Sequence, residues 1–175
     1  LARADVGIAI GSGTDVAVRG PRHAWIGTTA RRVLRSIDGE RTWAVATTPI
    51  ATGGATGIFS IAFRDERHGV VVGGNYQQEP AAVDNAAVTD DGGVTWRLVS
   101  RQGLSGYRSA VAWVGDRPGM LVALGPSGAD WSGDDGASWS PLPSAGYDAL
   151  SLLPSGGTGW ATGAEGRIAK ITRAR

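Results

Sequence analysis

Few side chains in this sequence could do chemistry, and their spacing limits what chemistry that would be. Tyr76 stands near Glu79 and Tyr107 beside Arg108. These are the residue types of a tyrosine nucleophile with a carboxylate partner, and of an arginine holding an anionic substrate. No spacing ties them, or Tyr147, into one constellation, so no catalytic residue is expected. Cysteine is absent and the histidines are His23 and His68 alone, which removes thiolate nucleophiles, disulfides and thiolate zinc sites. The paired acids Asp90-Asp91 and Asp134-Asp135 do not continue as Asp-x-Asp-x-Asp-Gly with a distant glutamate, so they read as turn chemistry and not as calcium loops. No metal is expected. The glycine-rich runs at Gly11, Gly53 and Gly156 are followed by no phosphate-binding lysine and open no helix, and no dinucleotide fingerprint is present. No cofactor is expected.

The elements that would position these residues are short strands. A chain of 175 residues with 42% apolar and 19% charged content suits one globular domain. A net charge of +1 names no nucleic acid or anionic membrane as partner. The longest uncharged stretch of the middle of the chain carries Pro49, Gly53, Gly54 and Gly57, which is not how a transmembrane helix reads. Glycine and proline interrupt the sequence too often for a helical apolar stripe. Thirteen short strands are expected, from Asp15 to Val18 at one end to Arg167 to Ile171 at the other, with none between Leu124 and Ala149. The class is all-β. The start Leu-Ala-Arg-Ala-Asp, without an initiator Met or a leader pattern, reads as a piece of a longer protein.

An eight-residue box recurs three times: Ser36-Ile-Asp-Gly-Glu-Arg-Thr-Trp43, Thr89-Asp-Asp-Gly-Gly-Val-Thr-Trp96 and Ser132-Gly-Asp-Asp-Gly-Ala-Ser-Trp139. From Trp43 to Trp96 is 53 residues and from Trp96 to Trp139 is 43, a period suited to one four-stranded propeller blade. The box demands a tight hairpin between a third and a fourth strand. Gly39, Gly92 or Gly93, and Gly136 can take positive φ there, while Asp38, Asp91 and Asp134 can accept N–H groups of their own turn. A second marker, a small apolar strand ending in glycine, recurs at Gly27, Gly73, Gly125 and Gly163. Four markers imply four units, about 1–50, 51–104, 105–144 and 145–175. The last unit has no box, as in a propeller whose outermost strand comes from the other end of the chain. That strand is expected near Val6 to Ile10 or from a second copy, which makes self-association through an open edge an expected behaviour.

The box is similar to the Asp-box, or BNR, repeat of sialidase-like and photosystem-assembly-factor-like β-propellers. His23 to Trp43 resembles a blade of the photosystem II stability and assembly factors. The stretches from Gly57, Gly106 and Gly159 are similar to the C-terminal half of bacterial BNR-repeat proteins labelled oxidoreductases. The resemblance implies about four four-stranded antiparallel blades belonging to a propeller of six to seven, a non-catalytic scaffold with a protein or glycan partner, and a periplasmic or extracellular place in a bacterium. Its alternative is a sialidase-like glycoside hydrolase. Glu40 and Ser138 depart from the box pattern, where glycine and threonine are the rule.

Turns in an antiparallel blade alternate between its two ends, so the boxes share an end with the first-to-second turns. The opposite end collects the links between blades and the long insertion from Asn75 to Asp84. Arg31, Tyr76, Gln78, Tyr107, Arg108 and Tyr147 are the candidate binding residues there, with Tyr76, Tyr107 and Arg108 expected nearest the centre.

Overall fold

A computed structural model describes residues 14–99, 101–115, 117–153 and 158–172. Among them, fifteen strands form four antiparallel sheets, each built in chain order. The first holds β1 (Val16–Arg19), β2 (His23–Gly27), β3 (Arg32–Ser36) and β4 (Ala44–Thr47). The second holds β5 (Thr56–Phe63), β6 (Gly69–Asn75), β7 (Ala86–Thr89) and β8 (Arg97–Leu98). The third holds β9 (Ala110–Trp113), β10 (Leu121–Gly125), β11 (Gly128–Ser132) and β12 (Ser140–Leu142). The fourth has three strands, β13 (Ala149–Leu152), β14 (Thr158–Gly163) and β15 (Arg167–Thr172). The only helical turn among the described residues is Ala164–Gly166.

Strands β11 and β12 correct the sequence reading, which left that stretch without strands. Gly128, Asp130 and Pro141 lower local strand propensity. Pairing overrides it: Ala129, Asp130 and Trp131 face Leu142, Pro141 and Ser140 across the ladder. Segment Val6 to Ile10 lies outside the described residues, and no described strand pairs with the outer edge of β15.

The core is three apolar layers, one between each pair of neighbouring sheets. Trp25 and Val33 of the first sheet meet Ile58, Phe63 and Val71 of the second, with the Trp25 and Phe63 rings stacked 3.7 Å apart. Val70, Val72 and Val88 then meet Val111, Leu121 and Ala123. Val122 and Leu124 meet Leu150 and Ala161. Alternation along each strand sends one set of side chains to each neighbour, so the middle sheets are apolar on both faces. Among the described residues, the first sheet packs its core face against one neighbour, the second. Its other face carries a row in register, Val16, Ile26, Leu34 and Val45, in which Val16 and Val45 are more than half exposed.

Candidate functional site

Each box closes the hairpin between the third and fourth strands through one repeated set of hydrogen bonds. The first residue's hydroxyl donates to the third residue's carboxylate, Ser36 to Asp38 at 3.0 Å, Thr89 to Asp91 at 2.8 Å and Ser132 to Asp134 at 2.8 Å. That hydroxyl accepts the N–H of Glu40, Gly93 or Gly136 at 2.9, 2.9 and 3.0 Å. The carboxylate also accepts the hydroxyl of Thr42, Thr95 or Ser138, each at 2.6 Å. The fourth residue ties the box to the first-to-second turn of its own sheet: Gly39 N–H donates to Arg22 O, Gly92 to Arg67 O and Asp135 to Gly119 O, at 3.1, 2.9 and 2.9 Å. Boxes and first-to-second turns therefore share one end of the sheets.

Both the fourth and the fifth box residues need positive φ. Glu40 stands at 65° and Asp135 at 59°, where the second box has Gly93 at 84° and Gly92 at 78°. A non-glycine residue in this region costs about 1–2 kcal/mol, while glycine gives back about 0.4–1 kcal/mol of unfolded-chain entropy. Glu40 is exposed. Glu40→Gly is thus expected to stabilise the chain by about 0.5 kcal/mol, read as a higher urea midpoint at unchanged m-value.

The box carboxylates are held in their charged form. Hydrogen bonds from the Thr42 hydroxyl and backbone bring Asp38 down to about 2. Burial pushes Asp91 upward, but the hydrogen bonds of Thr95, Thr89 and Val94 together outweigh it and leave Asp91 at about 2. Asp134 is lowered in the same way by Ser138 and Ser132 against its burial. The unfolded chain, with carboxylates near 3.8, takes up protons first, so this stabilisation is complete above about pH 4 and disappears as pH falls towards 2. Urea midpoints measured from pH 7 to pH 2 should fall steeply below pH 4. In Asp91→Ala/Asp134→Ala the fall should be shallower.

The box tryptophans bind each sheet to the one before it. Trp139, only 3% exposed, joins the core layer shared with the second sheet, and Trp96 packs against the layer shared with the first. Trp43 has no preceding sheet among the described residues and is 39% exposed. From the other side, Trp25 Nε1 donates to Gly92 O of the second box at 2.7 Å.

The opposite end carries the candidate binding residues, and the structure separates them. Arg31 is exposed, at φ 55°. Its carbonyl accepts the Thr48 N–H and hydroxyl at 2.8 and 3.0 Å. Tyr76 is 49% exposed, and Gln78 is exposed beside it in the insertion. Tyr147 is half-buried, with the Arg167 guanidinium 5.9 Å from its ring centre. Tyr107 is buried, its ring edge-on to Phe59 at 5.0 Å, while Phe59 in turn meets Tyr76 at 5.8 Å. Burial first, then the carboxylates of Asp148, Asp15 and Glu79, push the Tyr107 phenol up to about 12.

Arg108 corrects the expectation of a surface residue at the centre of this end, because its side chain is 2% exposed and paired with a fully buried Asp130. Nε donates to Asp130 Oδ2 at 2.6 Å, Nη1 to Tyr107 O at 2.7 Å and Nη2 to Ser105 Oγ at 2.6 Å. A buried guanidinium needs this many partners, and Asp130 sits on β11, the strand that local propensity hides. Asn85 is the other polar anchor that sequence reasoning missed. Its buried amide donates to Leu104 O at 3.2 Å and Gly106 O at 2.9 Å, fixing the link that leads into Tyr107. Of the candidate binding residues, Tyr76, Gln78 and Arg31 are the exposed ones, with Phe59 and Tyr107 buried beneath Tyr76.

No protein-family model and no curated protein matches the sequence. Solved structures do. The structure of YCF48 bound to D1 peptide superposes on 98% of this chain with a TM-score of 0.66 at 18% identity. The fold is that of β-propeller blades. The GH74 enzyme of Niastella koreensis superposes on 93% of the chain with a TM-score of 0.63 at 14% identity, and the computationally designed protein Ika4 on 99% with 0.61 at 12%. At such identities the likeness is one of fold. This chain spans 58% of the YCF48 chain, 28% of the GH74 chain and 100% of Ika4. The four sheets are accordingly four blades, the fourth with three strands.

Proposed function

We propose that this chain is a non-catalytic propeller scaffold that holds a protein partner as a peptide on the end opposite the boxes. The observation that carries the reading is the exposed ring of Tyr76, on an insertion above buried Phe59 and Tyr107. An aromatic anchor presented by a rigid frame is the usual energetic centre of a recognition surface. The likeness to a propeller solved with a peptide supports it. Selection of a random-peptide phage library on the immobilised 175-residue chain tests it. Selected peptides are expected to lose about tenfold or more in affinity with Tyr76→Ala/Gln78→Ala, the size of a hot-spot residue. Peptides indifferent to that pair but lost with Arg41→Glu on the box end would reverse the face.

Hydrolysis of glycans is the rival reading, favoured by the likeness to GH74 enzymes. Turnover of a fluorogenic sialoside or of a β-glucan by this chain, lost with Tyr76→Phe or Tyr147→Phe, would replace the scaffold reading.

A further inference from the structure

The innermost strands of all four blades surround a cavity of about 520 Å³ on the axis, at the box end. This is within the usual size of a small-molecule site, roughly 300–1,000 Å³. Its apolar side chains come from Val16 and Val18 of β1, Val111 of β9, and Leu152 and Leu153 at the end of β13. Val16 and Val18 are each 58% exposed and Leu153 55%, so among the described residues nothing covers them.

The polar groups in the wall are cationic or neutral donors. Arg19 and Arg64 contribute guanidinium groups, and no carboxylate belongs to the described lining. Arg64 is already neutralised, ion-paired with Asp135 and with Asp65, the latter at 3.3 Å. Arg19 is not. Its Nε donates to Arg64 O at 3.1 Å, Nη1 to Val18 O at 3.2 Å and Nη2 to Phe63 O. Three backbone carbonyls fix the plane of the guanidinium without cancelling its charge, and two of its five N–H groups remain for a ligand. Trp113, also in the wall, has a buried indole N–H with no acceptor among the described residues.

We propose that this cavity binds a small carboxylic acid carrying an apolar stem, anchored at Arg19. A single fixed guanidinium above apolar walls matches a monoanion with a hydrocarbon tail, whereas a polyanion such as nucleic acid would need several cations. The stretch Val16–Arg19 runs about 10 Å at a strand's rise, the depth of octanoate's chain.

Calorimetric titration of the full chain with octanoate tests the assignment. Octanoate is expected to bind, with octanamide weaker by about tenfold or more, since the amide keeps the stem and loses the charge-assisted pair. Arg19→Gln should weaken octanoate by about tenfold. Val18→Trp, which fills the cavity and leaves Arg19 and its carbonyl partners in place, should abolish binding in a chain whose circular dichroism is unchanged. Absence of octanoate binding, equal binding of octanoate and octanamide, or indifference to both variants overturns the proposal. Tighter binding of acetyl-Gly-Leu-Leu with a free C terminus than of octanoate would also overturn it, reassigning the cavity to a polypeptide end.

Discussion

Asp130→Ala is expected to cost about 3–5 kcal/mol of folding stability, the penalty for leaving a buried charge without its partner. Arg108 and Asp130 expose 2% and 0% of their side chains, so water cannot replace the lost carboxylate. Ser105 would lose a partner as well, because its N–H donates to Asp130 Oδ1 and Oδ2 at 3.3 Å. For a domain of this length the loss corresponds to a melting point lower by about 10 °C. Arg108→Met/Asp130→Leu removes both charges together, and it should recover most of that loss, as buried pairs replaced by apolar residues of similar volume commonly do. Thermal unfolding of the three chains measures both effects. A single variant as stable as the parent would mean that the pair is hydrated in solution.

Gly73→Ala and Gly125→Ala are each expected to destabilise by about 3 kcal/mol, the upper part of the range for overpacking. A Cβ at Gly73 would overlap Gly57 O, and one at Gly125 would overlap Tyr107 O. Both obstacles are backbone, which cannot swing aside. The same glycines are where consecutive blades join: Arg108 N–H donates to Gly73 O and Tyr147 N–H to Gly125 O, both at 3.0 Å. Any shift that makes room for a methyl group therefore pulls on the first residues of the next blade. Gly133 is the control, since its added Cβ would meet only the edge of the Trp131 ring at 3.3 Å. Alanine there should change the urea midpoint little, and an equal loss at all three positions would show that the effect is not the close approach.

These glycines also explain why so much of the fold can be read locally. A strand ending in glycine recurs in four units because each second strand passes close to a neighbour there, backbone at Gly73, Gly125 and Gly163 and the Ile58 side chain at Gly27, and the box recurs because one hairpin geometry is used three times. Turn chemistry joins residues two to four apart, as with Ser36, Asp38, Glu40 and Thr42, so its signal lies within one short stretch of sequence. Short apolar runs bounded by turn residues are local in the same way, and thirteen of the fifteen described strands, all but β11 and β12, are anticipated by them.

What the sequence by itself determined was the all-β class, the repeating unit and the hairpins that close it, since each depends on neighbours along the chain. Which residues vanish into the interior was decided by tertiary structure alone. Alternation assigns a side chain to one face of its sheet but does not say what covers that face. Arg108 looked like a surface residue until Asp130, 22 positions away, met it on a strand stabilised by pairing and not by propensity. Trp25 finds its acceptor 67 positions away in the next blade's box. The axial cavity belongs to the same class of fact. It needs one strand from each of four blades, and no single stretch of the sequence contains it.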